Sequence, residues 1–184
     1  MEKTKITDKE ILEQFRNPAT KEKAFNKLIQ KYQEKLYWHI RRIVMRHADA
    51  DDVLQNVFIK IWKNLEKFKE NSKLYTWLYR IATNESLTFI NKRKRHSATA
   101  LETDDYNLGA MLRSDPYFDG DEIQIKLEEA IETLPDKQKL VFKMRYYDAM
   151  KYDDMSEVLG TSVGALKASY HHAVKKVEKY LTED

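Results

Sequence analysis

The chain contains no cysteine among its 184 residues, so it has no disulfide framework and no thiolate redox or metal site. Its five histidines show no H-x-x-x-H pairing, and no pattern for a zinc site remains. No window approaches ~18 uninterrupted apolar residues, and Met1 to Glu10 is charged throughout. Neither a membrane span nor a signal peptide is expected, and the expected location is the cytoplasm. Glycine (four) and proline (three) are scarce while charged residues make up 34%, a balance that favours helices. The expected fold is all-α, with two small helical domains.

What is present is unevenly distributed charge. The net charge is only +3, yet Lys92, Arg93, Lys94 and Arg95 form an unbroken basic run. Ser97 to Glu122 then holds seven acidic residues against the single Arg113. This asymmetry places a polyanion-binding surface beside a self-solvating linker.

Apolar periodicity organises the rest. A short helix is expected over Asp8 to Phe15, ending near Asn17-Pro18. Between Ala19 and Met45, Phe25, Leu28, Ile29, Tyr32, Leu36, Ile40 and Ile43 recur at spacings of three and four, which predicts a long helix with one buried face. Asp49 reads as the N-cap of the next helix, whose inward stripe is Val53, Leu54, Val57, Phe58, Ile61 and Leu65. Ser72 reads as the cap of a third, with Leu74, Trp77, Leu78, Ile81 and Ala82 inward. Residues 96–121 show no sustained period and read as a flexible acidic linker between a first domain, 1–95, and a second, 122–184. In the second, helices are expected over Ile123 to Leu134, Asp136 to Tyr147, Tyr152 to Leu159 and Ser162 to Leu181.

The last two helices, joined through Gly160, have the layout of a helix-turn-helix. Burying Leu166, Tyr170, Ala173, Val177 and Leu181 turns Gly164, Lys167, Ala168, His171, His172 and Lys175 outward. Small residues at the helix start allow close approach to base edges, Ser162 and the lysines can hold phosphates, and Lys167, His171 and His172 are left to read bases. Further upstream, Tyr75, Trp77 and Tyr79 are interleaved with Lys73, Arg80 and the basic run, a mixture suited to unpaired bases, although Trp77 shares a stripe with Ile81 and is expected in the core. The loop residues Asn71, Ser72 and Lys73 are placed to form a pocket for a flipped base. The carboxylates Asp49, Asp51 and Asp52 sit at a helix start without a nucleophile, phosphate loop or metal constellation nearby. They read as capping plus a protein-docking edge, so no catalysis and no cofactor is expected.

Two blocks carry a family resemblance. The stretches "DADDVLQNVFIKIWKNLEKF" and "SKLYTWLYRIATNESLTFINKRKR" resemble region 2 of the extracytoplasmic-function sigma factors, and "LPDKQKLVFKMRYYDAMKYDDMSEVLGTSVGALKASYHHAVKKVEKYL" resembles their region 4. The resemblance implies a transcription initiation factor that binds core RNA polymerase and promoter DNA. It implies docking of Asp52, Gln55, Asn56 and Phe58 on the clamp coiled coil of the largest polymerase subunit. It implies capture of the opened minus-ten element by Asn71, Ser72, Lys73, Tyr75, Arg80 and Asn84, with Lys92, Arg93, Lys94 and Arg95 holding duplex or displaced strand. Ser162, Gly164, Lys167, Ala168, His171, His172 and Lys175 are implied at the minus-35 duplex, with region 4 also touching the polymerase flap, and an anti-sigma partner is expected. Ala165-Leu166-Lys167-Ala168-Ser169 stands where many members have Thr-Val-Lys-Ser-Arg, so the minus-35 preference is this chain's own. The rival reading is a dimeric helix-turn-helix regulator that binds palindromic duplex operators without polymerase.

Overall fold

A computed structural model describes residues 6–100, 108–116, 118 and 120–183. Among the described residues there are nine α-helices and no strand, and the chain divides into two compact units, Met1–Arg93 and Lys94–Asp184.

The first unit is built from α1 (Asp8–Arg16), α2 (Lys21–Val44), α3 (His47–Asn64) and α4 (Leu74–Ala100), which runs out of the unit at its C-terminal end. Thr7 starts α1 with a capping box: its Oγ accepts from the Glu10 N–H, and the Thr7 N–H donates to the Glu10 carboxylate. The sustained apolar stripe of α2 buries Leu28, Tyr32, Leu36 and Ile40 against α1 and α3. Phe25, Ile29 and Ile43 lie at its margins and are half-buried. The Tyr32 hydroxyl donates to Asp8 on α1, and burial first, then Asp8, lifts its pKa well above the ordinary tyrosine value.

Several helix starts differ from expectation. Helix α3 begins at His47 with Arg46 in the cap position, so Asp49 lies inside the first turn and is not the N-cap. A 3₁₀ turn over Leu65–Lys67 extends α3. The Trp77 N–H donates to the Lys73 carbonyl, which puts Lys73 at the start of α4 and leaves Ser72 one residue short of the cap. Expected linker positions are also helical: α4 continues through the basic run to Ala100, and α5 spans Leu108–Ser114 with Leu108 and Leu112 buried. Two turns carrying one i,i+4 apolar pair are too short to show a sustained period. Residues 101–107 of that segment lie outside the described residues.

In the second unit, α6 (Glu122–Glu132), α7 (Asp136–Tyr146) and α8 (Tyr152–Leu159) pack against the long α9 (Val163–Thr182). Ala130, Ile131, Leu134, Phe142, Ala173 and Val177 form a shared core. Pro135 precedes α7, where its missing N–H costs nothing. The turn from α8 into α9 requires Gly160, whose φ is +64°. A methyl group there would meet no neighbour within 4 Å, so the cost of a side chain is purely conformational. Gly160→Ala is expected to destabilise this unit by about 1 kcal/mol, read as a lowered midpoint in thermal unfolding followed by circular dichroism.

Candidate nucleic-acid and polymerase interfaces

Helix α9 presents the face that its sequence phase predicts. Leu166, Ala173 and Val177 are buried, Tyr170 and Leu181 half-buried, and Gly164, Lys167, Ala168, His171, His172 and Lys175 all lie exposed along the opposite side. Ser162 caps the helix, its Oγ accepting from the Ala165 N–H at 3.3 Å. Nothing lies within 4 Å of where a Gly164 side chain would begin, so packing within the protein does not call for glycine at that position. The exposed face starts flat and becomes basic one turn later, a shape that fits a major groove.

On α4 the solvent side carries Lys73, Trp77, Arg80, Asn84, Leu87, Thr88 and Asn91 at helical spacing, and Asn71 is exposed in the preceding loop. Trp77 thus departs from the expected core position: it is half-exposed, with its ring 5.1 Å from that of buried Phe68. The other rings are engaged internally. Tyr79 is only 3% exposed and packs on buried His39 at 4.8 Å, and half-buried Tyr75 lies 4.6 Å from Tyr79. The interleaved aromatics are therefore no continuous stacking platform. Buried hydroxyls hold the inner side of α4: Thr83 Oγ donates to the Tyr79 carbonyl at 2.7 Å and meets His39 Nε2 at 2.8 Å.

The basic run does not face one way. Lys92, Lys94 and Arg95 are exposed, but Arg93 falls on the inward phase of α4 and donates from Nη1 to the Asp49 carboxylate on α3 at 2.7 Å. Lys60 of α3 pairs with Glu85 of α4 nearer the other end of the contact. Asp49 and Arg93 thereby clamp two helices together, which explains an acidic residue just inside α3.

The outer face of α3 consists of Asp52, Gln55, Asn56, Ile59 and Lys63, all exposed. Phe58 does not belong to it: the ring is half-buried, packed edge-on against Phe25 at 6.3 Å. Ile59, missed by the sequence reading, is 51% exposed and forms the apolar centre of this polar face. The aromatic side of α3 instead joins Phe15, Phe25 and Trp62, Trp62 meeting the two phenylalanines edge-to-face at 5.3 and 5.0 Å and the phenylalanines tilted to each other at 6.1 Å, with Lys21 over two of the rings.

A helix-turn-helix with an exposed small-then-basic face, in a chain whose other unit carries a polar helix and a basic one, defines an all-α DNA-binding protein. Family models agree: Sigma-70 region 2 matches residues 28–96, and Sigma-70, region 4 matches 124–177. The sigma-E factor of Haemophilus influenzae is 29% identical over 181 residues, covering 94% of both chains, and sigma factor SigW of Bacillus subtilis is 29% identical over 168 residues, covering 87% of this chain and 90% of that one. Among solved structures, the sigma factor RpoE of Bartonella quintana, determined with the anti-sigma factor NepR, superposes with a TM-score of 0.73 at 20% identity, covering 88% of this chain and 99% of that one. CnrH, determined with the cytosolic domain of CnrY, gives 0.70 at 21% identity over 96% and 98%. The chain belongs to the sigma-70 family of RNA polymerase sigma factors, in its extracytoplasmic-function branch. It is a transcription initiation factor that binds core RNA polymerase and promoter DNA, and not an enzyme.

Proposed function

We propose that the three exposed faces divide the work of promoter opening. The outer face of α3, with Asp52, Gln55 and Asn56 around Ile59, docks on the clamp coiled coil of core polymerase. Asn71, Ser72, Lys73, Tyr75, Trp77, Arg80 and Asn84 capture a minus-ten base from the separated strand, and Lys92, Lys94 and Arg95 hold its phosphates. The exposed face of α9 reads the minus-35 duplex through Lys167, His171 and His172, with Ser162 and Lys175 on the backbone and Gly164 and Ala168 allowing close approach. The observation that carries the minus-35 part of this division is the helical phase of α9, which gathers Gly164, Lys167, Ala168, His171, His172 and Lys175 on one solvent face. Residues 1–95 act as the polymerase and minus-ten domain, and residues 122–184 as the minus-35 domain. The factor works in the cytoplasm, and an anti-sigma protein, of the kind crystallised with RpoE, holds it inactive.

The test separates the two DNA faces in reconstituted holoenzyme. Asn71→Ala with Lys73→Ala is expected to lower permanganate reactivity of unpaired thymines by about tenfold or more, in line with about 1.5 to 3 kcal/mol for a hydrogen bond to a charged group. The minus-35 footprint should persist. Lys167→Ala with His171→Ala is expected to do the reverse, and equal loss of both signals in both variants counts against the division. Gly164→Ala supplies a finer check: helix propensity should raise the unfolding midpoint slightly, while minus-35 occupancy falls because the methyl group meets the groove.

A further inference from the structure

We infer that Tyr152, the first residue of α8, is a positioning residue for base reading: its ring is a shelf that sets where the Lys167 ammonium enters the major groove. This rests on the reading of Lys167 as a minus-35 contact. The Lys167 Nζ lies 5.8 Å from the centroid of the Tyr152 ring. That is within the ~6 Å over which a ring quadrupole attracts a cation. Among the described residues no carboxylate pairs with this ammonium, and the ring is what it meets.

The ring is itself fixed from two sides. Arg145 of α7 donates from Nη1 to the Met150 carbonyl at 3.0 Å, which anchors the guanidinium in the loop before α8, and its Cζ sits 5.0 Å from the Tyr152 centroid. From α9, Tyr170 meets the same ring edge-on at 6.5 Å. Tyr170 and Lys167 are three residues apart and are neighbours on the surface of α9, Tyr170 at the edge of its buried stripe and Lys167 at the edge of its exposed face, so a ring that packs on the first can also meet the second. The backbone thus sets the angle of the reading helix, and Tyr152 sets the reach of one side chain on it.

The physical need is clear from lysine chemistry. An ammonium is a compact charge on a flexible four-carbon stem, and the many positions it samples suit phosphates and discriminate poorly between base edges. Confining it over a ring narrows its positions before DNA arrives, which lowers the ordering cost of a directed bond to guanine O6 or N7. Loss of the shelf should leave non-specific affinity and its salt dependence nearly unchanged, because the charge remains. What should fall is preference at the one or two base pairs that Lys167 reads.

Tyr152→Leu, Tyr152→Phe, Lys167→Ala and the Leu/Ala double variant are assayed as holoenzyme on a library randomised through the minus-35 element. Lys167→Ala identifies the base positions that depend on this lysine. Tyr152→Leu is expected to weaken preference at those same positions by about two- to fivefold, the range of an exposed cation–π contact. Tyr152→Phe should restore it, and the double variant should lose no more than Lys167→Ala alone. Independently of folding or transcription losses in the variants, the Lys167 ε-methylene protons of the unaltered chain should be shifted upfield by the ring current, and Tyr152→Phe should keep that shift. Absence of the shift overturns the inference, as does unaltered preference in a folded Tyr152→Leu variant at positions where Lys167→Ala acts, and in that second case minus-35 reading by Lys167 still stands. If Lys167→Ala itself changes no preference, the reading beneath the inference fails and the inference falls with it.

Discussion

Glu132→Gln is expected to destabilise the second unit by about 2 to 4 kcal/mol, the largest stability effect of any single exchange considered. The Glu132 carboxylate sits between two ammonium groups, with Lys143 Nζ at 2.6 Å and Lys139 Nζ at 2.7 Å. Lys143 is only 4% exposed, while Glu132 keeps 28%, so the neutral variant removes the carboxylate charge beside a buried cation, and the partly wet partner moderates the loss. A small helical unit has about 5 to 10 kcal/mol in total. Losing this pair therefore removes a large share.

The same pair sets an acid limit. Burial alone would raise the Glu132 pKa, but Lys143 and Lys139 outweigh it, and the folded-state value lies below the ordinary one. A carboxylate depressed on folding contributes stability that is fully present above its unfolded value of about 4 and is lost as pH falls through the lower folded value. Unaltered protein should thus weaken in that acid window, and Glu132→Gln should show a flatter profile there. The measurement can be confined to one unit, because all three tryptophans, Trp38, Trp62 and Trp77, lie in Met1–Arg93. Tryptophan fluorescence should report an unchanged urea transition while circular dichroism shows part of the helix signal melting earlier. A shift in the fluorescence transition, or none in dichroism, contradicts this account of Glu132.

The second large effect concerns the basic run. Exchanging Lys92, Lys94 and Arg95 together for glutamine is expected to make promoter binding by holoenzyme far less salt-sensitive. Each lost phosphate contact lowers the slope of log affinity against log salt by about 0.7 on single strands and 0.9 on duplex. Three contacts amount to a change of about 2 to 3, with affinity falling uniformly across promoter sequences. Arg93→Gln should behave differently, because its guanidinium holds Asp49 on α3. It should cost about 1 kcal/mol of stability in the first unit and leave the salt slope alone. Equal slope changes for Arg93→Gln and for each exposed neighbour would show that the Arg93–Asp49 clamp opens on DNA.

The contrast between Arg93 and its neighbours shows what sequence reading could and could not resolve. Four consecutive cations look like one patch in composition, yet successive residues turn by about 100° on a helix, so one of the four faces inward. Its partner is 44 positions away, beyond any local pattern. The same holds for Phe58 and Ile59: the aromatic looked like the interface residue, but Phe25 on another helix claims its ring, and the aliphatic neighbour takes the exposed place. Where local chemistry decides, the reading succeeded. Gly160 adopts the left-handed turn, Ser162 caps α9, and the long apolar period of α9 fixes its outward face. Short α5 and half-exposed Trp77 escaped because two turns, or one residue at a stripe's edge, carry too little periodicity.

The central claim is that this chain selects promoters as a subunit of polymerase, with both units engaged at once. Run-off transcription from a randomised promoter library, with and without core RNA polymerase and paired with footprinting, tests it directly. The expected result is start-site-specific transcripts only when core enzyme is present, from templates sharing two separated elements at fixed spacing, with little footprint from the free factor. A contradicting result is a strong footprint by the free chain on a single palindromic duplex site, together with transcripts that do not depend on it.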